Sequence, residues 1–257
     1  MIRRGSRMPG ASARAALAAV TFLTRVPLGR RLSVDASDVV RGAVLFPLVG
    51  AGVGAIAGLA AAGLEGPLPP LVAGGIAVGV ALILTGALHL DALADTVDGL
   101  GAGTRERALE IMRDPRSGVF GVAAIAVAVL VEAGSLGALA ETGDVVSGFV
   151  VAGAVSRAAA APLAAAMPYA RREVGTGGVL SGRVSAVGSV VACGAALSIA
   201  ALLLGWDGVV LAAVGVAVAV LCGIGSRLWL GGITGDTLGA TVQLVEIAAL
   251  VVLLTLR

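Results

Sequence analysis

Long apolar runs dominate this chain and set its architecture. They stand at about 42–63, 71–90, 118–140, 145–166, 186–204, 208–225 and 239–256. Each is near the length a helix needs to cross ~30 Å of hydrocarbon. Short polar breaks separate them. Glu65-Gly66-Pro67-Leu68-Pro69-Pro70 is a helix-stopping turn, and Glu141-Thr142-Gly143-Asp144 and Gly205-Trp206-Asp207-Gly208 are tight links. The pattern predicts an all-α fold: a polytopic transmembrane helical bundle of about seven spans, preceded by a short N-terminal interfacial helix. Residues 1–257 form one integral membrane domain, with 1–20 a flexible cytoplasmic extension. The apolar run near the start is too short for the core of a cleaved signal peptide. Gly50, Gly54 and Gly58 recur every four residues and make a smooth ridge along the first span, which lets a second helix approach closely in lipid.

Arginine placement orients the bundle. Arg3, Arg4, Arg7, Arg14, Arg25, Arg30, Arg31 and Arg41 precede or open the first span. Arg105, Arg107, Arg113 and Arg116 follow the second, Arg171, Arg172 and Arg183 the fourth, and Arg227 closes the sixth. The three turns quoted above hold none. This alternation supports the span count and places the longer links in the cytoplasm. Arg257 is the exception, exposed at the far end.

Composition narrows the class. The chain is 58% hydrophobic and 13% charged, with a mean hydropathy of +1.03, as expected of a membrane protein rather than a soluble domain. A formal net charge of +2 carries no nucleic-acid footprint. His89 is the one histidine, so Cys/His metal spacing is absent, and Cys193 and Cys222 read as small buried hydrophobes.

The polar exceptions carry the chemistry, and they gather on the side of the longer links. In His89-Leu90-Asp91-Ala92-Leu93-Ala94-Asp95-Thr96-Val97-Asp98-Gly99, three aspartates stand at i, i+4 and i+7 on one helical face, without Lys or Arg three or four positions away. Unpaired acids at a membrane rim and near a helix C-terminus are unfavourable unless a divalent cation lies between them. Oxygen ligands select Mg²⁺ or Mn²⁺. The competing reading is a set of solvated helix-end charges. Glu106, Glu110 and Asp114 form a second acidic row, interleaved with arginines as in a salt-bridged surface helix; Asp114 is a candidate to complete the metal shell. Arg113 and Arg116 offer forked donors to a diphosphate. The turn 231–239 (GGITGDTLG) presents backbone N–H groups, at Thr234 and Gly235 among others, to phosphate, and Asp236 adds an acid there. Glu246 lies inside the last span, where it either serves the site or pairs with Arg157. His89 points away from the aspartate face by about 200° of helix rotation, and reads as a packing residue, a substrate contact or a proton carrier.

At these residues the chain resembles the adenosylcobinamide-GDP ribazoletransferase (cobalamin synthase) family. The matching segments run in family order: 22–27 (FLTRVP), 46–50 (FPLVG), 89–99 (HLDALADTVDG), 108–114 (ALEIMRD) with Arg116, Gly118, Phe120 and Gly121, and 235–240 (GDTLGA). Ala92 departs from a usual glycine, Pro115 and Ser117 differ locally, and Gln243 stands where an acid is common. The resemblance implies that ribazole, or its 5′-phosphate, attacks adenosylcobinamide-GDP, releasing GMP and forming adenosylcobalamin or its phosphate. It implies Mg²⁺ and a multi-pass inner-membrane location. Asp91, Asp95, Asp98, Asp114 and Asp236 are then the expected metal ligands. Asp91, Asp95, Asp98 and His89 are the expected catalytic groups, with Glu110 and Glu246 in reserve. Arg25, Arg113, Arg116, Thr234 and Gly235 are the expected phosphate contacts. Homo-oligomerisation is left open.

Two rivals share the chemistry. A CDP-alcohol phosphotransferase requires Ala-Arg after Asp-Gly, which Asp98-Gly99 lacks; a prenyltransferase requires a second close Asp pair, where the last link offers Asp236 alone. A cation transporter is the rival of another class. It distributes polar groups through the membrane midplane rather than along one side.

Overall fold

The computed structural model describes residues 10–28, 34–171 and 176–257. Arg3, Arg4, Arg7, Arg30, Arg31 and Arg172, used above to orient the chain, lie outside the described residues. Among the described residues the regular structure is helical. Its helices are α1 Ala11–Leu23, α2 Ala36–Gly42, α3 Phe46–Ala62, α4 Pro70–Thr85, α5 Leu88–Leu100, α6 Arg105–Ile111, α7 Val119–Glu141, α8 Val145–Ala166, α9 Thr176–Leu180, α10 Ala186–Leu204, α11 Trp206–Leu230 and α12 Gly235–Thr255. Ordered helix begins inside the stretch expected to be a flexible extension: Ala18 and Ala19 of α1 are fully buried. Arg14 of α1 and Arg41 of α2 both pair with the buried Asp38, which also closes the capping box that starts α2.

Among the described residues, six helices, with α2 and α3 counted as one through a 3-10 turn, are long and apolar enough to cross a membrane. A seventh crossing exists if α4 and α5 together make one broken span, bent by 92°. This differs from the continuous run expected at 71–90. Gly86 and Ala87 both adopt left-handed backbone, with φ of 65° and 58°. Two consecutive left-handed residues end a right-handed helix, and hydropathy does not register backbone handedness. The aspartates therefore ride on their own helix, and Asp91 stands in its first turn rather than at the end of a long span. There the helix dipole favours an acid instead of opposing it.

Helix α8 is the hub. Of its best membrane window, 78% is buried inside the protein, against 22% for α10 and 28% for α11. The outer helices turn Leu202, Leu228 and Ile83 outward, as lipid-facing helices do. Cys193 and Cys222, expected to be buried, are half-buried on these outer helices. The glycine ridge meets α8 as expected. A Cβ added at Gly50 would stand 2.0 Å from the carbonyl oxygen of Gly153, and one at Gly54 would stand 2.2 Å from that of Phe149. Gly54→Val is therefore expected to destabilise the fold by at least about 1–3 kcal/mol, because two backbones must separate. Gly52→Val, whose added Cβ meets no neighbouring atom within 4 Å, leaves stability unchanged. Thermal unfolding of both in detergent checks this, and equal stability of the two variants would refute the backbone contact.

The two ends of the bundle differ. At one, Arg257 pairs with Asp144 at 2.5 Å and with Asp207 at 2.5 Å, tying the chain end to the two arginine-free links after α7 and α10. The expected exception is thus a clamp. At the other end the arginine-rich links are sewn together. Ala170 N–H donates to Ile233 O (2.8 Å), Ile233 N–H to Pro168 O (2.9 Å) and Arg105 Nη2 to Ala170 O (3.0 Å). The segments around α5, α6, 168–171 and 231–236 form one polar cap there.

Candidate active site

Helix α5 crosses α12 closely at this cap. A Cβ on Gly239 would stand 2.5 Å from the Cβ of Ala92, so the two helices meet through small side chains. The crossing brings Asp236, in the first turn of α12, to the aspartate face of α5. Asp95 is partly withdrawn from water and faces the negative charges of Asp91, Asp236 and Asp98, with Arg171 as the neighbouring cation. Asp91 is exposed. Asp95 thus shares its neighbourhood with three further carboxylates, and the Arg171 guanidinium lies beside them. Among the described residues, no three His, Cys, Asp or Glu side chains are drawn together as a ready-made metal cage.

Asp98 has a further attachment. Its two oxygens accept the N–H groups of Gly118 (2.6 Å) and Gly121 (2.7 Å), which caps the start of α7 from 20 residues upstream. A carboxylate on a helix N-terminus satisfies orphan donors and complements the dipole. Any Cβ at Gly118 or Gly121 would stand 2.6 or 2.4 Å from those same oxygens, which explains the glycine spacing.

The other candidates scatter. Asp114 accepts Arg116 Nε (2.9 Å), Nη2 (2.8 Å) and backbone N–H (3.0 Å), and the guanidinium holds its carboxyl down at about 2. Glu110 is exposed and pairs with Arg107 at 2.7 Å. Thr234 is fully buried, and its hydroxyl accepts the Thr237 N–H in the capping box that starts α12. The Thr234 and Ile233 N–H groups are also engaged, so the glycine-punctuated turn is largely a structural seam. Gly235 lines a cavity beside Asp91 and Asp236. Arg25 is exposed and lies against Gly86 at the α4–α5 break.

Glu246 resolves to the pairing alternative: it forms a buried ion pair with Arg157 and accepts the Ser156 hydroxyl at 3.1 Å. Gln243 donates to the buried Glu132 at 2.6 Å. An acid at 243 would face Glu132 instead, which gives the departure from the family pattern a physical reason. His89 is buried on the inner side of α5 and borders this polar cluster.

Arg171 was not legible as a site residue. It donates to Asp236 at 2.5 Å and to Met112 O at 3.4 Å, while its Nε is buried without a protein partner. In sequence it is one more arginine of the longer links, and only the fold sets it against Asp236. On its outer side, Arg105, Arg113 and Arg171, with Glu106 and Glu110, line an open cavity of ≈ 590 Å³.

A model of the cobalamin-5-phosphate synthase family matches residues 15–254. Curated relatives include proteins named adenosylcobinamide-GDP ribazoletransferase from Shigella flexneri, Escherichia coli O17:K52:H18 and Escherichia coli K12. Each is 40% identical over 242 residues, covering 92% of this chain and 98% of the relative. No solved structure matches. Of the segments that resemble the family, 89–99 and 235–240 meet at the α5–α12 crossing and Gly118 and Gly121 lie at the α7 cap, while 22–27 ends α1, 46–50 opens α3 and 108–114 lies on α6. With a match over nearly its whole length, the chain belongs to the cobalamin-5-phosphate synthase family.

Proposed function

We propose that this chain joins adenosylcobinamide-GDP to ribazole (or its 5′-phosphate) at the polar cap, with Mg²⁺ at the α5–α12 crossing and the cap facing the cytoplasm. The transferase activity is the one the relatives are named for. The observation that carries the site is the gathering of Asp91, Asp95 and Asp236, from two helices far apart in sequence, next to a cavity lined by arginines. The arginine-rich links gathered at that end support the cytoplasmic assignment.

In the reaction a ribazole hydroxyl oxygen bonds to the phosphorus that carries cobinamide. The anhydride bond breaks, GMP leaves with its electron pair, and the hydroxyl proton passes to a carboxylate of the cluster. Asp91, exposed at the crossing, is placed to receive it. Arg113, Arg105 and Arg171 hold phosphate oxygens and fix the donor in line, which is most of what phosphoryl transfer requires of a protein. The donor set fits a hard divalent cation: Asp91, Asp95 and Asp236 supply carboxylate oxygens from two helices, and Mg²⁺ is commonly held by one or two carboxylates plus substrate phosphates rather than by a complete protein cage. Asp91, Asp95 and Asp236 would hold it. Bound there, it would neutralise charge on the diphosphate and on the leaving GMP. Asp98 and Asp114 are less available because α7 and Arg116 engage them.

The test is direct. Purified protein in liposomes, given adenosylcobinamide-GDP, ribazole and Mg²⁺, is expected to yield GMP and adenosylcobalamin, and chelator abolishes both products. Failure to form product with all components present overturns the assignment. Turnover that persists in chelator overturns the role of the metal.

A further inference from the structure

A second cavity, of ≈ 340 Å³, lies on the inner side of the crossing. Its polar wall carries Asp91, Asp236, His89 and Arg157; its apolar wall includes Phe22 and Phe46. These rings stack with centroids 5.6 Å apart and planes 4° from parallel. Only 3% of the chain is aromatic, with four phenylalanines in all, so two of the four border this one cavity. The arginine-lined cavity and this one meet at the Arg171–Asp236 pair: Arg171 lines the first and Asp236 the second.

From this we infer that the two substrates enter opposite sides of that ion pair, with ribazole in the inner cavity and the diphosphate of adenosylcobinamide-GDP in the outer one. The inference rests on the transfer reaction above and assigns its subsites. Size and polarity separate the ligands. A cavity of ≈ 340 Å³ is at the small end of those that enclose drug-sized molecules, roughly 300–1,000 Å³. It has room for a nucleoside with a fused two-ring base. A corrin macrocycle with its side chains does not fit. The ribazole base is flat, uncharged and apolar, so it suits the phenylalanine wall. Its ribose hydroxyls then point to Asp91 and Asp236, beside the seam where phosphorus arrives. Three arginines make the outer cavity the anion side. The corrinoid remains outside the inner cavity.

Initial rates in liposomes, varying each substrate in turn, test the arrangement. Ala160 lines the inner cavity, and Ala160→Leu narrows it. This variant is expected to raise KM for ribazole at least about tenfold while KM for adenosylcobinamide-GDP stays within about twofold, because a pocket distinguishes single methylenes by that order. Phe22→Ala, which removes part of the flat wall instead of adding bulk, gives the same pattern if the leucine variant does not fold. Arg113→Gln reverses it, raising KM for the donor alone. Equilibrium dialysis of labelled ribazole without donor reads the inner cavity independently of turnover, and Phe22→Ala weakens that binding. A rise confined to the donor KM in both inner-cavity variants, a parallel rise in both KM values, or dialysis binding unaffected by Phe22→Ala would overturn the subsite assignment. If wild-type protein binds ribazole in that Phe22-dependent way yet forms no product, the subsite stands and the proposed reaction fails.

Discussion

Asp91→Asn and Asp95→Asn are each expected to lower turnover by roughly 10²–10³-fold, the order seen when one preorganised charge-stabilising group is removed from an active site. Each change deletes a negative charge from a cluster in which Asp95 already faces Asp91, Asp236 and Asp98. Folding therefore does not suffer, because like-charge repulsion is relieved, and both variants unfold no lower than wild type without added metal. Turnover in the variants requires more Mg²⁺ or ceases. Asp98 behaves differently. Asp98→Ala removes both acceptors from the α7 N-terminus and is expected to cost about 1–3 kcal/mol of stability as well as activity. Assay beside thermal unfolding separates the two roles. Near-normal activity in both Asn variants would remove the metal assignment, and an unchanged melting temperature in Asp98→Ala would remove the cap.

The other large effect lies inside the membrane region. Arg157→Met leaves Glu246 without the guanidinium that neutralises it, and Ser156 without the donor that reaches its hydroxyl at 2.9 Å. Breaking a buried pair from one side is expected to cost about 3–5 kcal/mol. Replacing both partners, Arg157→Met with Glu246→Leu, recovers most of that loss, because neither side then buries a lone charge. Arg157 also lines the inner cavity, so ribazole KM remains raised in the double variant although stability returns. Equilibrium unfolding in detergent, read beside substrate kinetics, checks both halves. A double variant as unstable as the single one would show that the pair contributes through more than mutual neutralisation.

Much of this was legible in the residue order. The run of apolar segments is local, since each must bury or face lipid along its own length, and the structure places an unbroken span candidate at six of the seven expected positions and the bent α4–α5 pair at the seventh. The ridge of Gly50, Gly54 and Gly58 was equally local, because absent side chains mark a close approach whatever the partner. So was the shared face of Asp91, Asp95 and Asp98, which follows from helical periodicity.

What the tertiary structure decided depends on contacts between distant segments. Backbone handedness at Gly86 and Ala87 turned an apparent span into two helices at 92°. Acidic residues took different roles: Asp236 was carried to the α5 face, Asp98 capped α7 and Glu246 closed on Arg157. A carboxylate's sequence neighbours fix its charge but not its partner. The partner comes from whichever helix packs alongside, and that choice is made by summed packing across the whole bundle.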